Sequence, residues 1–343
     1  MAREARSHVK KRRRGCLGGC LTKIIVLLGL LAVLFVGACV LGFVKNDPVT
    51  GAPSLSLDGV KGLENLQLPD IRLPESLEGI GLPQLPDGVQ IPGWAYGMSP
   101  TGLTVKTLRA GNGEAVLICA DGYTMLLGGG SGMGAALSAQ LLLCGVKHLN
   151  AAAAMSSEQA QIGGLPLAIK LMPPQYLLIQ DSQTKGTAYN RLISTAQKSS
   201  RIEVRAVKKG LSFMLGRALV TVIGPARTAH TDERDDGLSI RVDYGSTSVL
   251  IMGAITASGE RELISSRVNL DADALICARG GSEEATCAEF VSAVSPQYAL
   301  MTGKDAPNSV KVRLTRAGAQ VYTAKEYGVM TLVSDGQTLR IKE

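Results

Sequence analysis

Residues Asn150–Pro166 read NAAAAMSSEQAQIGGLP. The alanines close a short apolar run, His148–Ala154, that suits a buried strand. The segment from Ile162 to Lys170 has the spacing of a helix, entered through Gly163, Gly164 and Pro166. Between them lie Ser156, Ser157, Glu158 and Gln161, with no histidine. The stretch has the outline of a strand–loop–helix site. It holds no base to activate Ser156 or Ser157 and no obvious set of metal ligands.

Working outward, the flanks alternate between strand and helix signals. Leu103–Leu108 and Ala115–Cys119 read as strands, followed by a turn at Asp121-Gly122 and a strand over Thr124–Leu127. A glycine run, GGGSGMG at Gly128–Gly134, precedes a helix expected over Ala135–Cys144. Downstream, Leu238–Tyr244 and Ser248–Met252 alternate about Gly245-Ser246 as a hairpin, and a second hairpin turns at Asp335-Gly336. Helices are expected over Glu260–Ser266 and Glu283–Val294, the latter capped by Ser282. Val310–Leu314, VKVRL, alternates like a strand. The interleaving gives a mixed α/β (α+β) class.

Several chemistries fall away by inspection. Gly130, Gly132 and Ala135 loosely match GxGxxA, but no acid follows at the dinucleotide spacing and no GK[ST] follows at all. The run reads as a tight structural turn. There are three histidines, His8, His148 and His230, too few for a histidine-built metal site. His230 lies in TAHTDERDDG, read as a solvated surface loop. There is no G-x-S-x-G elbow. Of seven cysteines, Cys119, Cys144, Cys277 and Cys287 lie in the body with no CxxC spacing. Cys287 shares a helical stripe with Phe290, Val291 and Val294, which argues for core, and a Cys277–Cys287 bridge is the lesser reading.

The formal charge of +7 is confined to one end. Residues 1–23 hold eight Lys/Arg and one acid; the remaining 28 basic and 28 acidic residues cancel. A domain that grips a phosphate backbone usually carries a basic bias, so nucleic acid is not an expected partner. Ile24 to Val44 is uncharged and long enough, at about 1.5 Å per residue, to span a hydrocarbon core of roughly 30 Å. The basic cluster before it should remain cytoplasmic, placing the C-terminal domain outside. A cleaved signal peptide and a lipoprotein, from Val36-Gly37-Ala38-Cys39, are rival readings. The run is long for the first, and stays apolar past Cys39 against the second. Residues 45–98 contain seven prolines in phrases such as LQLPD and IGLPQLPDG, the composition of a semi-rigid spacer. The expected organisation is a basic tail (1–23), a transmembrane anchor (24–44), a Pro-rich linker (45–98) and one domain (99–343).

Over about residues 101–343 the order of phrases resembles the metallo-β-lactamase superfamily, in particular the hydrolase domain of ComEC-type competence proteins and its stand-alone relatives. DGYTMLLGGGSG (Asp121–Gly132) is similar to that family's DG-TMLIDGGGS phrase, and CGVKHLN (Cys144–Asn150) to its LGVKKLD. MSSEQAQIGGLP stands where the family has THPHADHIGGLP. GPARTAHTDERDDGLSIRVDYGSTSVLIMGA and ARGGSEEATCAEFVSAVSPQYALMTGKD parallel two later segments. The resemblance implies an αββα sandwich and a helix near Val310–Leu314. It also places the family's metal ligands on residues unfit for the role. The HxHxDH positions fall on Ser156, Glu158, Ala160 and Gln161, the bridging aspartate on Ala254, and two histidines on Arg279 and Gly280. The supporting aspartate falls on Gly128.

The expectation is therefore a membrane-anchored, extracytoplasmic member of this fold without cofactor or metal and without catalytic residues. It would act by binding or scaffolding. Its candidate positions are Ser156, Glu158, Gln161, Ala254, Arg279 and Gly280, at which an anionic ligand beside Arg279 or a protein partner would dock. The alternative is a divergent metal-dependent hydrolase or nuclease using Glu158, Asp232, Asp235 and Asp236. An ordinary extracytoplasmic α/β domain is the third reading.

Overall fold

The computed structural model describes residues 44–46, 53–55 and 101–342, apart from 112, 133 and 182–185. The chain divides into two compact units, 1–85 and 86–343. In the first, β1 (Val44–Asn46) pairs antiparallel with β2 (Pro53–Leu55), where the expected anchor ends and the segment read as an extended spacer begins. The basic tail and the expected membrane helix over 24–44 lie outside the described residues, except Val44. Among the described residues, no helix is long and apolar enough to cross a membrane.

In the second unit, β3 (Leu103–Ala110), β4 (Gly113–Ala120) and β5 (Tyr123–Gly128) form an antiparallel meander. The chain then changes habit. Helix α1 (Gly134–Leu143) leads to β6 (Ala151–Ala153); α2 (Gln159–Ile162) and α3 (Leu165–Leu171) lead to β7 (Tyr176–Gln180); α4 (Thr187–Gln197) leads to β8 (Glu203–Val207). Strands β5 to β8 pair in parallel, as crossover helices require. A second sheet repeats the plan. Strands β9 (Ser212–Leu215), β10 (Ala218–Gly224), β11 (Ser239–Tyr244) and β12 (Thr247–Ile251) are antiparallel neighbours. Helices α5 (Ala257–Ser265), α6 (Ala288–Val294) and α7 (Asn308–Arg316) connect β12, β13 (Ala274–Ile276), β14 (Tyr298–Met301) and β15 (Gln320–Thr323) in parallel. After the short α8 (Ala324–Tyr327), the hairpin of β16 (Thr331–Ser334) and β17 (Leu339–Lys342) joins the first sheet beside β3.

Among the described residues the orders are β17-β16-β3-β4-β5-β6-β7-β8 and β15-β14-β13-β12-β11-β10-β9. The sheets share one apolar core, with Val105, Ile118, Met125 and Leu178 facing Val220, Ile240, Val249 and Ile276. A second core seals α1, α3 and α4 to the first sheet through Leu137, Leu141, Ile169 and Leu192. A third seals α5, α6 and α7 to the second through Leu263, Phe290, Val310 and Leu314. The result is the αββα layering expected from the resemblance. Aliphatic residues supply nearly all of it, as the scarcity of aromatics dictates.

Three expectations need correction. Val310–Leu314 is helical, not a strand. Val310 and Leu314, four apart, are buried, whereas Val312 is exposed. Positions i and i+4 share a face in both periods, and only the middle residue, Val312, which a helix turns outward, separates them. Helix α6 begins at Ala288, not Glu283, and Ser282 does not cap it. The buried Glu260 carboxylate instead accepts the Thr286 and Cys287 N–H groups at 2.6 and 2.8 Å, holding the turn that precedes the helix. The helix expected over Ile162–Lys170 is two pieces, α2 and α3, separated at Gly163-Gly164. All four cysteines of the domain are buried free thiols, so Cys277 and Cys287 are not bridged.

Candidate functional site

Parallel strands send their loops to the carboxyl ends of the sheet. Gly128 ends β5, Ser156–Gln161 follows β6, Ala254 follows β12, and Arg279 and Gly280 follow β13. The topology thus gathers the predicted positions at one edge of the sandwich. What it builds there is a close-packed backbone and a chain of ion pairs.

The glycine run forms the floor. Gly129 N–H donates to Gln161 O at 2.6 Å, and Gly130 N–H is shared between Glu114 O and Gln161 O at 3.1 Å each. Gly130 has φ +65°, and a Cβ there would stand 2.0 Å from Ala110 O. The run is a packing device, in agreement with its structural reading. Ser156 is buried and its Oγ accepts from Glu158 N–H at 3.1 Å, shaping the loop. Gly280 has φ +68° and a Cβ there would lie 2.5 Å from Gly303 N. The position aligned with a family histidine therefore has no room for any side chain. Ala254 is fully buried and contributes only its carbonyl oxygen.

Arg279 occupies the centre. It holds a left-handed backbone, φ +52° and ψ +32°, pinned by its N–H donating to Gly253 O at 2.7 Å. Its Nη1 lies 3.4 Å from Glu158 Oε2 and 3.3 Å from Ala254 O. Its Nε lies 3.3 Å from Glu284 Oε2 without hydrogen-bond geometry. Glu284 also accepts from Arg234 Nη1 at 2.6 Å, and Arg234 grips Asp232 with Nε and Nη2 at 2.8 and 2.6 Å. Glu158, Arg279, Glu284, Arg234 and Asp232 form one continuous network of three carboxylates and two guanidinium groups. Hydrogen bonding to Arg234, opposed by burial, holds Asp232 below the usual carboxylate range.

The residues do not fit the metals that the fold family would imply. The only carboxylate among the aligned positions, Glu158, is taken by a guanidinium cation, and a metal beside that cation would be repelled. Among the described residues, no group of three or more His, Cys, Asp or Glu is arranged to hold an ion. The alternative set is dispersed as well. Asp235 is buried and receives Thr256 N–H and Oγ1–H at 2.7 and 3.1 Å, while Asp236 is engaged by His230.

The loop Thr228–Gly237 is at the surface through Thr228, Ala229, Thr231 and Glu233, but His230 departs from that reading. Its side chain is 4% exposed, with Nδ1 2.8 Å from Asp236 Oδ1 and Nε2 2.8 Å from Glu262 Oε2. Glu262 also pairs with Arg227 at 2.8 and 3.1 Å. A ring with both nitrogens on carboxylates is favoured as the imidazolium. Burial alone would lower its pKa; the bonds to Asp236 and Glu262 outweigh burial and raise it. The group therefore stabilises the fold below the ordinary histidine pKa, and that contribution is lost as pH rises through the raised value. His230→Gln is expected to cost about 1–3 kcal/mol at pH 6. The deficit should shrink towards pH 9, as read by urea unfolding at both pH values. A deficit independent of pH would mean that the ring is held neutral. This loop, α5 and Glu158 wall an open cleft of about 620 Å³.

Glu114 is a site residue that sequence reasoning missed. It faces the space between the sheets, is 5% exposed, and neither carboxyl oxygen has a hydrogen-bond partner. Burial pushes its pKa up to about 8. A sequence signal was present: one acid leading the apolar run AVLI. Glu262 and Glu284 carried no such signal, because their partners lie 32 and 50 residues away.

No family model matches the chain. ComE operon protein 3 of Bacillus subtilis (strain 168) is 22% identical over 158 residues, 46% of this chain and 20% of that protein, so the match spans only a fifth of the relative. Similar solved structures include the metallo-β-lactamase fold protein YhfI from Bacillus subtilis, at 15% identity and TM-score 0.44 over 65% of this chain and 97% of that one. Tm1679, described as a metal-dependent hydrolase of the β-lactamase superfamily, is 10% identical with TM-score 0.46, over 64% and 95%. Igni18, a metallo hydrolase from Ignicoccus hospitalis, is 12% identical with TM-score 0.43, over 70% and 99%.

Proposed function

We propose that the chain is a membrane-anchored protein whose extracytoplasmic metallo-β-lactamase-like domain acts by binding or scaffolding, not by metal-dependent hydrolysis. The observation that carries this reading is Arg279. A fixed cation bridges Glu158 and Glu284 at the edge where the aligned metal positions converge. The anchor is supported by the uncharged run 24–44 behind a cluster of basic residues. Of the two binding modes, an anion beside Arg279 is disfavoured, because that charge is already met by two carboxylates. A protein or surface partner outside the cleft is favoured.

The test is metal analysis of residues 86–343 after exposure to zinc and manganese and desalting, alongside an assay for cleavage of single-stranded DNA. Substoichiometric metal and no cleavage are expected. Stoichiometric metal with cleavage lost in Glu158→Ala would establish the hydrolase alternative instead. Arg279→Ala should leave cleavage absent and cost about 1–2 kcal/mol of stability, because Glu158 and the Ala254 carbonyl lose their donor. A melting temperature unchanged in that variant would remove Arg279 as a tie between the sheets.

A further inference from the structure

Residues 99–343 hold 25 basic and 21 acidic residues, and the whole excess lies in one region. Residues 122–202 carry Lys147, Lys170, Lys185, Arg191, Lys198 and Arg201 against only Glu158 and Asp181. Both acids are already taken, Glu158 by Arg279 and Asp181 by Lys208 at 2.9 Å. Lys147, Lys170, Arg191, Lys198 and Arg201 are exposed and enter no ion pair among the described residues. Elsewhere in the domain 19 basic residues face 19 acidic ones, and Arg205, Arg217, Arg227, Arg234, Arg241 and Arg279 are paired.

The same region exposes leucine. Helix α1, GAALSAQLLL, has no charged residue on any side, yet its outer face is open, with Leu142 45% and Leu143 41% exposed. An outward helix face is ordinarily charged. Helix α3 packs beside α1 and adds Leu167 at 38% and Leu171 at 42%. Helix α4 packs beside α3. Each crossover helix runs back to the start of the next parallel strand. Leu142, Leu143 and Leu171, at the last turns of α1 and α3, therefore sit with Lys147, Lys198 and Arg201 at the end opposite the cleft.

We infer that this face, α1, α3 and α4 with the loops that follow them, is a docking surface for an anionic lipid bilayer. Protruding leucines enter the acyl boundary while the unpaired lysines and arginines meet lipid phosphates, the combination that interfacial helices use. Charge complementarity is the argument for this occupant: Lys147, Lys170, Lys198 and Arg201 lie about the apolar tip without ion pairs among the described residues, and the neighbouring acid, Glu203, is neutralised by Arg205 at 2.7 Å. The inference rests on the proposed anchor only for local concentration, which a tether raises. In that pose the cleft edge points away from the membrane.

The test uses residues 86–343, which contain both sheets and all three cores, so its result is independent of the apolar run 24–44. The domain is mixed with phosphatidylcholine vesicles, with or without phosphatidylglycerol, and floated. It should float with the anionic vesicles and release as salt rises from about 0.05 to 0.5 M. Each near-surface cation is worth roughly a fivefold factor in affinity. The triple variant Lys170→Glu, Lys198→Glu, Arg201→Glu should therefore bind at least about a hundredfold more weakly, and Leu142→Ser with Leu143→Ser should also lose binding. Wild-type melting curves establish that the variants fold. No binding to anionic vesicles, equal binding to neutral ones, or unchanged binding in both variants would overturn the inference. So would a wild-type dimer abolished by the leucine variant, which would assign the face to a second copy. Alkaline extraction of the full chain from membranes tests the anchor separately.

Discussion

Replacing Glu114 by glutamine is expected to stabilise the domain by on the order of 4 kcal/mol at pH 8 and above, and to leave it nearly unchanged at pH 4. The carboxyl is buried between the sheets with both oxygens unpartnered, and its pKa moves from 4.5 to about 8 for that reason. A carboxyl whose pKa is raised on folding binds its proton more tightly in the native state. The contribution of Glu114 is then most favourable below pH 4.5 and falls as pH rises from 4.5 to about 8, after which it levels. Every tenfold gain in proton affinity on folding corresponds to about 1.4 kcal/mol. Glutamine keeps the shape and removes the charge, so the variant should lack this part of the pH dependence across that window. Urea unfolding of both proteins at pH 4, 6 and 8 measures the divergence. Parallel curves would mean that Glu114 keeps a partner in its charged form.

The second large effect is the reverse in sign. Gly113→Ala and Gly130→Ala should each cost more than about 4 kcal/mol and deplete soluble protein. A Cβ at Gly113 would stand 1.6 Å from Ala160 O, and one at Gly130 would stand 2.2 Å from Ala110 Cβ, backbone or near-backbone on each side. The clash cannot be relieved by rotating a side chain. Gly122→Ala and Gly145→Ala supply the control: both have positive φ, but nothing lies within 4 Å of the added carbon. Each should cost only about 1–2 kcal/mol, the conformational penalty alone. If all four variants melt alike, the glycine floor is not what holds the Ser156–Gln161 loop.

Much of this fold could be read from local pattern. The alternation in Leu238–Met252, the Asp121-Gly122 turn and the stripe Cys287–Val294 each fix their element with few residues, since neighbours in sequence are neighbours in space. The order of phrases supplied what pattern could not, including the helix at Asn308–Arg316. The site divides differently. The aligned residues do meet at one edge, because strand ends set their place. What they do there depends on side chains from elsewhere: Glu284 and Arg234 complete the network around Arg279, and Glu262 reaches His230 from α5. No period or spacing announces such pairs. The loop of His230 looked solvated because its composition is polar. Its outer residues are exposed, but the His230 side chain, Asp235 and Asp236 are buried, held by Glu262 and Thr256 and by one another.

The four buried cysteines carry a practical consequence. Burial raises the Cys287 thiol to about 12 and also raises those of Cys119, Cys144 and Cys277. Only thiolates attack reagents at useful rates, so in residues 86–343 a thiol probe must wait for the structure to open. The labelling rate of each cysteine becomes a clock for breathing of its layer: Cys144 for the helices on the first sheet, Cys277 and Cys287 for those on the second. Compared with one another, the clocks would tell whether the two halves of the sandwich come apart together or one at a time.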